Sequence, residues 1–133
     1  SYDGLDVDFS EIKFNKINII NSENDCLDFS YGKYEVSIIN TSNCKDKAIS
    51  LGEKSNLNLK KFESKNSKVG LAVKDSSVAI VEFVSLNNVE NCVVAYRKKQ
   101  EFSGGNVFIK HNNCLNKSFY KDNQSKIVLN DEF

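Results

Sequence analysis

Short runs of alternating apolar and polar residues recur along the chain, and each run spans about four positions. In almost every run the second and fourth positions are apolar. The runs begin at Gly4, Cys26, Ala48, Gly70, Val93 and Ser118, which lie 22, 22, 22, 23 and 25 residues apart. A repeat period of about 20 to 50 residues is typical of solenoids, and alternation with a period of two is typical of strands. The pattern therefore predicts an all-β fold, a parallel β-helix of about six coils.

Two columns of residues from these runs are predicted to face the interior, because alternate residues of a strand share one side. Coils stacked about 4.8 Å apart align such columns into ladders, so each coil buries the apolar edge of its neighbour. The first column contains Leu5, Leu27, Ile49, Leu71, Val94 and Phe119. The second contains Val7, Phe29, Leu51, Val73, Tyr96 and, as an exception, Lys121.

The turns after the later strand of each coil are rich in asparagine. Asn tolerates left-handed backbone angles, and stacked amides can bond along the coil axis, so these residues are interpreted as structural. They are Asn21, Asn40, Asn43, Asn66, Asn87, Asn112 and Asn113. No amphipathic helix covers the first coil, and an uncapped coil would fit either end-to-end association or further coils.

The outward positions of the first strand in each coil suggest a binding surface. Small side chains in the central coils predict a flat strip, formed by Ala48, Ser50, Gly52, Gly70, Ala72 and Ala95. Acidic residues lie on the N-terminal side of this strip and basic residues on its C-terminal side, an arrangement that a glycan or a protein could lie against. The residues predicted to contact such a ligand are Ser50, Glu53, Lys74, Asp75, Arg97, Lys98 and Lys99.

The acidic side of the strip allows two further hypotheses beside that of solvated surface acids. Carboxylates on adjacent coils could bind calcium, and the alternative metal ligands are Asp3, Asp6, Asp25 and Asp28. Two carboxyl groups about 5 to 9.5 Å apart could also hydrolyse a glycosidic bond. The alternative catalytic residues are Asp6, Asp8 and Asp28. No cofactor other than calcium is expected.

Composition and charge narrow the classes of partner. The 18 basic and 18 acidic residues cancel, so net charge does not favour nucleic acid as a partner. No apolar run reaches the roughly 18 residues of a membrane span. A length of 133 residues predicts one domain, 1–133. Because the chain begins within the repeat and has no signal peptide, it is interpreted as a mature form or a fragment of a longer protein.

The four cysteines are Cys26, Cys44, Cys92 and Cys114. They form no C-x-x-C pair, and the chain has one histidine, which disfavours a zinc site. Cys26 with Cys44, and Cys92 with Cys114, are each about one coil apart. Their positions within the repeat differ by three or four residues, whereas a bridge requires Cα atoms within about 7 Å. The expectation is therefore buried thiols.

Three segments carry a resemblance to a known family. They are 46–55 (DKAISLGEKS), 70–77 (GLAVKDSS) and 95–102 (AYRKKQEF), and the acidic opening 3–10 (DGLDVDFS) is similar as well. They resemble a bacterial right-handed parallel β-helix family of the pectate-lyase-like superfamily, of the kind found beside spore-coat-H-like kinase domains. The resemblance implies a right-handed solenoid in an extracellular or envelope protein. It implies little about activity, since this fold hosts lyases, hydrolases and inert scaffolds.

The sequence thus favours a non-catalytic binding or structural module with a polysaccharide or protein partner. One alternative is a carbohydrate-active enzyme that uses the acidic residues of the N-terminal coils. Another is a scaffold that associates with itself through the flat strip or through the ends of the coil stack.

Overall fold

The computed structural model of the chain describes residues 4–114 and 117–132. Of these, Asp131 and Glu132 are described through their backbone only. All regular structure in these residues is β. The ten strands are β1 (Leu5–Asp8), β2 (Glu11–Ser22), β3 (Leu27–Ser30), β4 (Lys33–Cys44), β5 (Lys47–Gly52), β6 (Asn56–Lys74), β7 (Val78–Tyr96), β8 (Asn106–Asn112), β9 (Ser118–Lys121) and β10 (Lys126–Glu132).

All strand pairs are parallel, and the strands stack coil upon coil. Leu5 pairs with Leu27, and the same column continues through Ile49 and Leu71. Successive members of this column are 22 residues apart. The column ends at Phe119 in the sixth coil. The predicted parallel β-solenoid of about six coils is therefore confirmed.

Each coil has three walls separated by corners. In the first coil the first wall is 5–8, the second wall is 11–14 and the third wall is 16–20, and the register carries these walls through the stack. Left-handed backbone angles mark two of the corners. They occur at Phe9, Tyr31, Glu53 and Asp75 between the first and second walls, and at Asn21, Asn43, Asn66 and Asn88 between the third and first walls.

Side chains from all three walls fill the interior. Leu51 of the first wall, Leu57 of the second and Phe62 of the third are almost completely buried. The buried Tyr34 donates its hydroxyl to the carbonyl oxygen of Ser30 at 2.7 Å, which satisfies the one polar atom of this large ring. Because every interior coil is covered on both sides, the core forms only when the coils stack.

The register corrects the prediction for the fifth coil by one residue. Val93, rather than Val94, pairs with Leu71, so the repeat begins at Cys92 and its spacing from Gly70 is also 22 residues. Val93 and Ala95 face the core and are fully buried, whereas Val94 and Tyr96 are half-buried on the outer side. Consecutive apolar residues from 92 to 96 fitted either register, which is why the alternation did not distinguish them.

The interpretation of the turn asparagines as an axial stack is confirmed for one corner. Asn43 donates its side-chain amide to Asn21, Asn66 donates to Asn43, and Asn88 donates to Asn66, each at 2.8 Å between Nδ2 and Oδ1. We call this row the amide ladder. Its fourth member is Asn88, whereas the sequence suggested Asn87. All four residues have positive φ angles of 55° to 64°, a conformation that Asn accepts more readily than most residues.

The expectation of free thiols is wrong, because both cysteine pairs form disulfides. The Cα atoms of Cys26 and Cys44 are 5.4 Å apart, and those of Cys92 and Cys114 are 5.7 Å apart. Each disulfide joins the beginning of a coil to the end of the same coil. The corner between the third and first walls turns the chain direction sharply. Cysteines on the two sides of this corner are therefore close in space although their positions within the repeat differ. Disulfides form and persist in oxidising environments, so these two bonds favour an oxidising compartment for this chain.

Candidate binding surfaces

The small-residue strip of the first wall is not an exposed surface. Asp6, Asp28, Ser50 and Ala72 do share one column on adjacent coils, as predicted. However, Ser50 and Ala72 are 0% exposed, and the Ser50 hydroxyl has no hydrogen-bond partner. The prediction of an exposed strip is therefore wrong, although a ligand role for Ser50 itself stays a prediction.

A long side chain from the neighbouring coil lies against Gly52 of this strip. A Cβ atom placed on Gly52 would lie 3.6 Å from Cε of Lys74, so the lysine stem lies against the glycine. Burial lowers the pKa of Lys74, while the nearby charge of Asp28 opposes this shift. Tyr96 pairs with Lys74 in the next coil, and burial raises the pKa of its phenol. Asp28 of the predicted acidic side and Lys74 of the predicted basic side are thus close enough to interact electrostatically.

The acidic residues of the first two coils have different surroundings, although Asp6, Asp8 and Asp28 share the outer side of the first wall. Asp25 is buried, and its carboxylate accepts the backbone N–H of Lys47 at 3.1 Å. Burial raises the pKa of Asp25 above 3.8, and the charge of Lys47 partly opposes the rise. Asp8 is exposed on the outer side of β1, and Asp3 lies outside the described residues. Within 4–114 and 117–132, no three His, Cys, Asp or Glu residues converge as metal ligands.

The remaining predicted ligand residues meet at the corner between the first and second walls. Asp75 is buried there, and its carboxylate accepts the backbone N–H groups of Lys98 and Lys99 at 2.7 and 2.9 Å. The Lys99 ammonium lies 3.1 Å from the Glu53 carboxylate, and this hydrogen bond raises the pKa of Lys99. Arg97 donates its backbone N–H to Asp122 at 2.8 Å. These contacts fasten the 97–105 loop to the solenoid.

Aromatic rings follow the same corner. Phe9 and Tyr31 stack with their ring centroids 4.6 Å apart, and Phe102 from the loop lies edge-on to Tyr31 at 6.4 Å. Gly104 and Gly105 let the loop approach closely, because a Cβ atom on either would overlap the backbone of Gln124 or Val73. The predicted cluster of Glu53, Asp75 and the basic run is therefore an anchoring network for this loop.

The outer side of the second wall carries a groove whose residues the sequence pattern does not single out. Two adjoining concavities of about 650 and 270 Å³ share the side chains of Lys13, Glu35, Asn58 and Ile80. All four residues form one column on adjacent coils. With coils about 4.8 Å apart, the groove runs along the solenoid axis over four coils. We call it the second-wall groove.

The chemistry of the second-wall groove changes along its length. In the first two coils, charges of opposite sign face each other, and Lys13 Nζ lies 3.5 Å from Glu35 Oε2. The third coil contributes Lys60 and the amides of Asn56 and Asn58, and the fourth contributes Glu82 and the apolar Val78 and Ile80. Ile80 is 48% exposed and supplies apolar surface to this end of the groove. The groove can therefore donate and accept hydrogen bonds beside an apolar patch, without excess charge of one sign.

Comparison with protein-family models, curated proteins and solved structures gives no match for this chain. The solenoid architecture implied by the resemblance is confirmed by the strand register. Membership of the pectate-lyase-like superfamily stays a prediction. Residues 4–114 and 117–132 contain no helix with the length and apolar character of a membrane span.

Proposed function

We propose that this chain is a non-catalytic module that binds a neutral polysaccharide along the second-wall groove. The observation that carries the proposal is the groove itself, an open concavity whose shared lining residues occupy one register column on four successive coils. Pockets for small ligands are usually deep and mostly apolar, whereas an open axial channel suits a long chain of similar units.

The side chains of the groove favour a neutral sugar chain. Opposite charges in the first two coils compensate each other, so they supply hydrogen-bond donors and acceptors without a net field. Amides of Asn56 and Asn58 can pair with hydroxyl groups, and Ile80 offers an apolar surface for the C–H side of a pyranose ring. The two disulfides fit an extracellular or cell-envelope setting, where such polysaccharides occur.

The test is affinity electrophoresis of the purified chain through gels that contain cellulose derivatives, xylan, soluble chitin or pectin. A neutral polysaccharide is expected to retard the protein, and acidic pectin is expected to retard it less. Asn58→Trp, which fills the middle of the groove, is expected to abolish retardation. Asn87→Trp is the matched control, since Asn87 is an exposed asparagine of the third wall. Equal retardation of both variants, or none of the wild-type chain, would refute the proposal.

Absence of catalysis is tested in the same samples by measuring reducing ends over time. No release is expected from any polysaccharide that the chain binds. If reducing ends accumulate and Asp28→Asn stops their release without changing the melting temperature, the enzyme hypothesis is correct and the module is catalytic.

A further inference from the structure

The middle of the second-wall groove places two side-chain amides directly beside two apolar side chains. Asn56 and Asn58 lie two positions apart on β6, so they share the outer side of the wall. The register pairs Asn56 with Val78 and Asn58 with Ile80 on the next coil. The four residues therefore outline a patch of about 5 Å by 7 Å, with amides along one edge and apolar groups along the other. We call it the amide–apolar patch.

The two amides of this patch are open to a ligand. Both side chains are exposed, and neither forms a hydrogen bond with any residue that the structure describes. The asparagines of the amide ladder, by contrast, bond to one another at 2.8 Å. The patch lies on β6 and β7, which are paired with a further strand on each side, so its surroundings do not depend on where the coil stack begins or ends.

An acetamido group has the same two kinds of surface side by side. Its N–H and C=O can pair with the carbonyl oxygen and the NH₂ group of an asparagine side chain. Its methyl group projects beyond the amide, toward Val78 when the amide lies between Asn56 and Asn58. Because adjacent coils are only about 4.8 Å apart, Val78 can reach van der Waals contact with that methyl group. A hydroxyl group offers no apolar end for Val78 to cover.

From this match we infer that the polysaccharide bound in the second-wall groove is built from N-acetylated amino sugars, and that the amide–apolar patch binds an acetamido group. This assignment rests on the proposed function, because it names the sugar class that the same groove selects. A sugar without the acetyl group would place an ammonium group beside Val78. None of the four side chains of the patch is charged, so the ammonium would lose hydration there without a paired carboxylate.

Isothermal titration calorimetry with three tetrasaccharides of the same linkage and length tests this assignment. They are the fully N-acetylated tetrasaccharide of chitin, its deacetylated form, and cellotetraose, which has a hydroxyl group in place of each acetamido group. The wild-type chain is expected to bind the N-acetylated ligand about tenfold more tightly than cellotetraose, because an amide hydrogen bond and a covered methyl group are added. The deacetylated ligand is expected to bind no more tightly than cellotetraose.

Two variants of the patch are expected to change this preference without filling the groove. Val78→Thr keeps the shape of the side chain but replaces a methyl group with a hydroxyl, and is expected to reduce the preference about threefold. The double variant Asn56→Asp, Asn58→Asp replaces both amide donors with carboxylates, so it is expected to bind the cationic deacetylated ligand most tightly. Val94→Thr on the first wall and Asn18→Asp on the third are the matched controls and are expected to keep the wild-type preference.

Cellotetraose binding as tightly as the N-acetylated ligand would overturn the acetamido site but leave the proposed function intact, because a neutral sugar chain would still occupy the groove. A preference for the N-acetylated ligand that survives in both patch variants would also overturn it. If none of the three ligands binds, the acetamido site is refuted, and the gel retardation of the wild-type chain decides separately whether the proposed function stands. Circular dichroism of each variant establishes that the compared chains are folded.

Discussion

Substitution of Asn66 separates two contributions to the stability of the solenoid corner. Asn66 has a φ angle of 64° and occupies the middle of the amide ladder. It donates one side-chain hydrogen bond to Asn43 and accepts one from Asn88. Asn66→Ala removes both bonds and leaves a Cβ-bearing residue without a polar side chain in the left-handed region. Asn66→Gly removes the same two bonds but accepts the backbone conformation without strain.

The magnitudes follow from the exposure of the ladder and from its geometry. Each exposed hydrogen bond contributes about 0.5 kcal/mol, the lower end of the usual range. A left-handed conformation costs a residue such as Ala about 1 kcal/mol. Asn66→Ala is therefore expected to lower the free energy of unfolding by about 2 kcal/mol, and Asn66→Gly by about 1 kcal/mol. For a chain of this length these losses correspond to melting temperatures lower by about 8 and 4 °C.

Differential scanning calorimetry of the two variants and the wild-type chain measures the difference. Asn18→Ala is the control, because Asn18 is an exposed asparagine of the third wall and lies outside the ladder. Its substitution is expected to change stability by less than about 0.5 kcal/mol. Equal losses in the Ala and Gly variants would contradict the left-handed corner. Wild-type stability in the Gly variant would show that the ladder bonds contribute nothing.

Three further predictions concern the core, the disulfides and pH. Val93→Asp is expected to unfold the chain, at a cost above about 4 kcal/mol, whereas Val94→Asp on the outer side is expected to leave it folded. Circular dichroism measures both variants. An unfolded Val94→Asp with a folded Val93→Asp would contradict the register of the fifth coil. Reduction of the two disulfides is expected to cost about 3 kcal/mol for each loop, measured by urea unfolding with and without reductant, and an unchanged midpoint would contradict the pairing. Because the folded-state pKa of Asp25 is raised, its contribution to stability is fully present below pH 3.8 and falls as pH rises through the folded pKa. Urea melts across this range should show that Asp25→Asn removes this fall, and a slope unchanged by the substitution would refute the assignment.

The fold could be predicted because stacking repeats the same physical requirement in every coil. Inward columns such as Leu27, Ile49 and Leu71 must all be apolar, so the period appears directly in the sequence. The predictions of the fifth-coil register and of the cysteine state were wrong because the sequence was compatible with two arrangements. The apolar run from 92 to 96 fitted two registers, and the cysteine offset could not be converted into a distance without the shape of the corner.

The candidate binding surface was harder to predict than the fold, because small side chains fit both a flat exposed face and a position covered by a longer neighbour. Ala72 and Ser50 were interpreted as a flat exposed strip, yet small residues also mark places where longer neighbours such as Lys74 lie across the backbone. The second-wall groove gave a weaker sequence signal. Its column of Lys13, Glu35, Asn58 and Ile80 mixes charge, amide and apolar character, so no single residue type draws attention to it. These residues are neighbours because the parallel register places them in one column on four adjacent coils.

The proposed site is tested most directly by nuclear magnetic resonance of the labelled chain during titration with an oligosaccharide cut from the polysaccharide that it binds. Progressive shifts are expected for the amide signals of Asn56, Asn58 and Ile80 in the second-wall groove. Signals of Ser50, Lys74 and Arg97 are expected to stay unchanged. Shifts confined to these first-wall residues, with an unperturbed second wall, would contradict the account and restore the binding surface that the sequence first suggested.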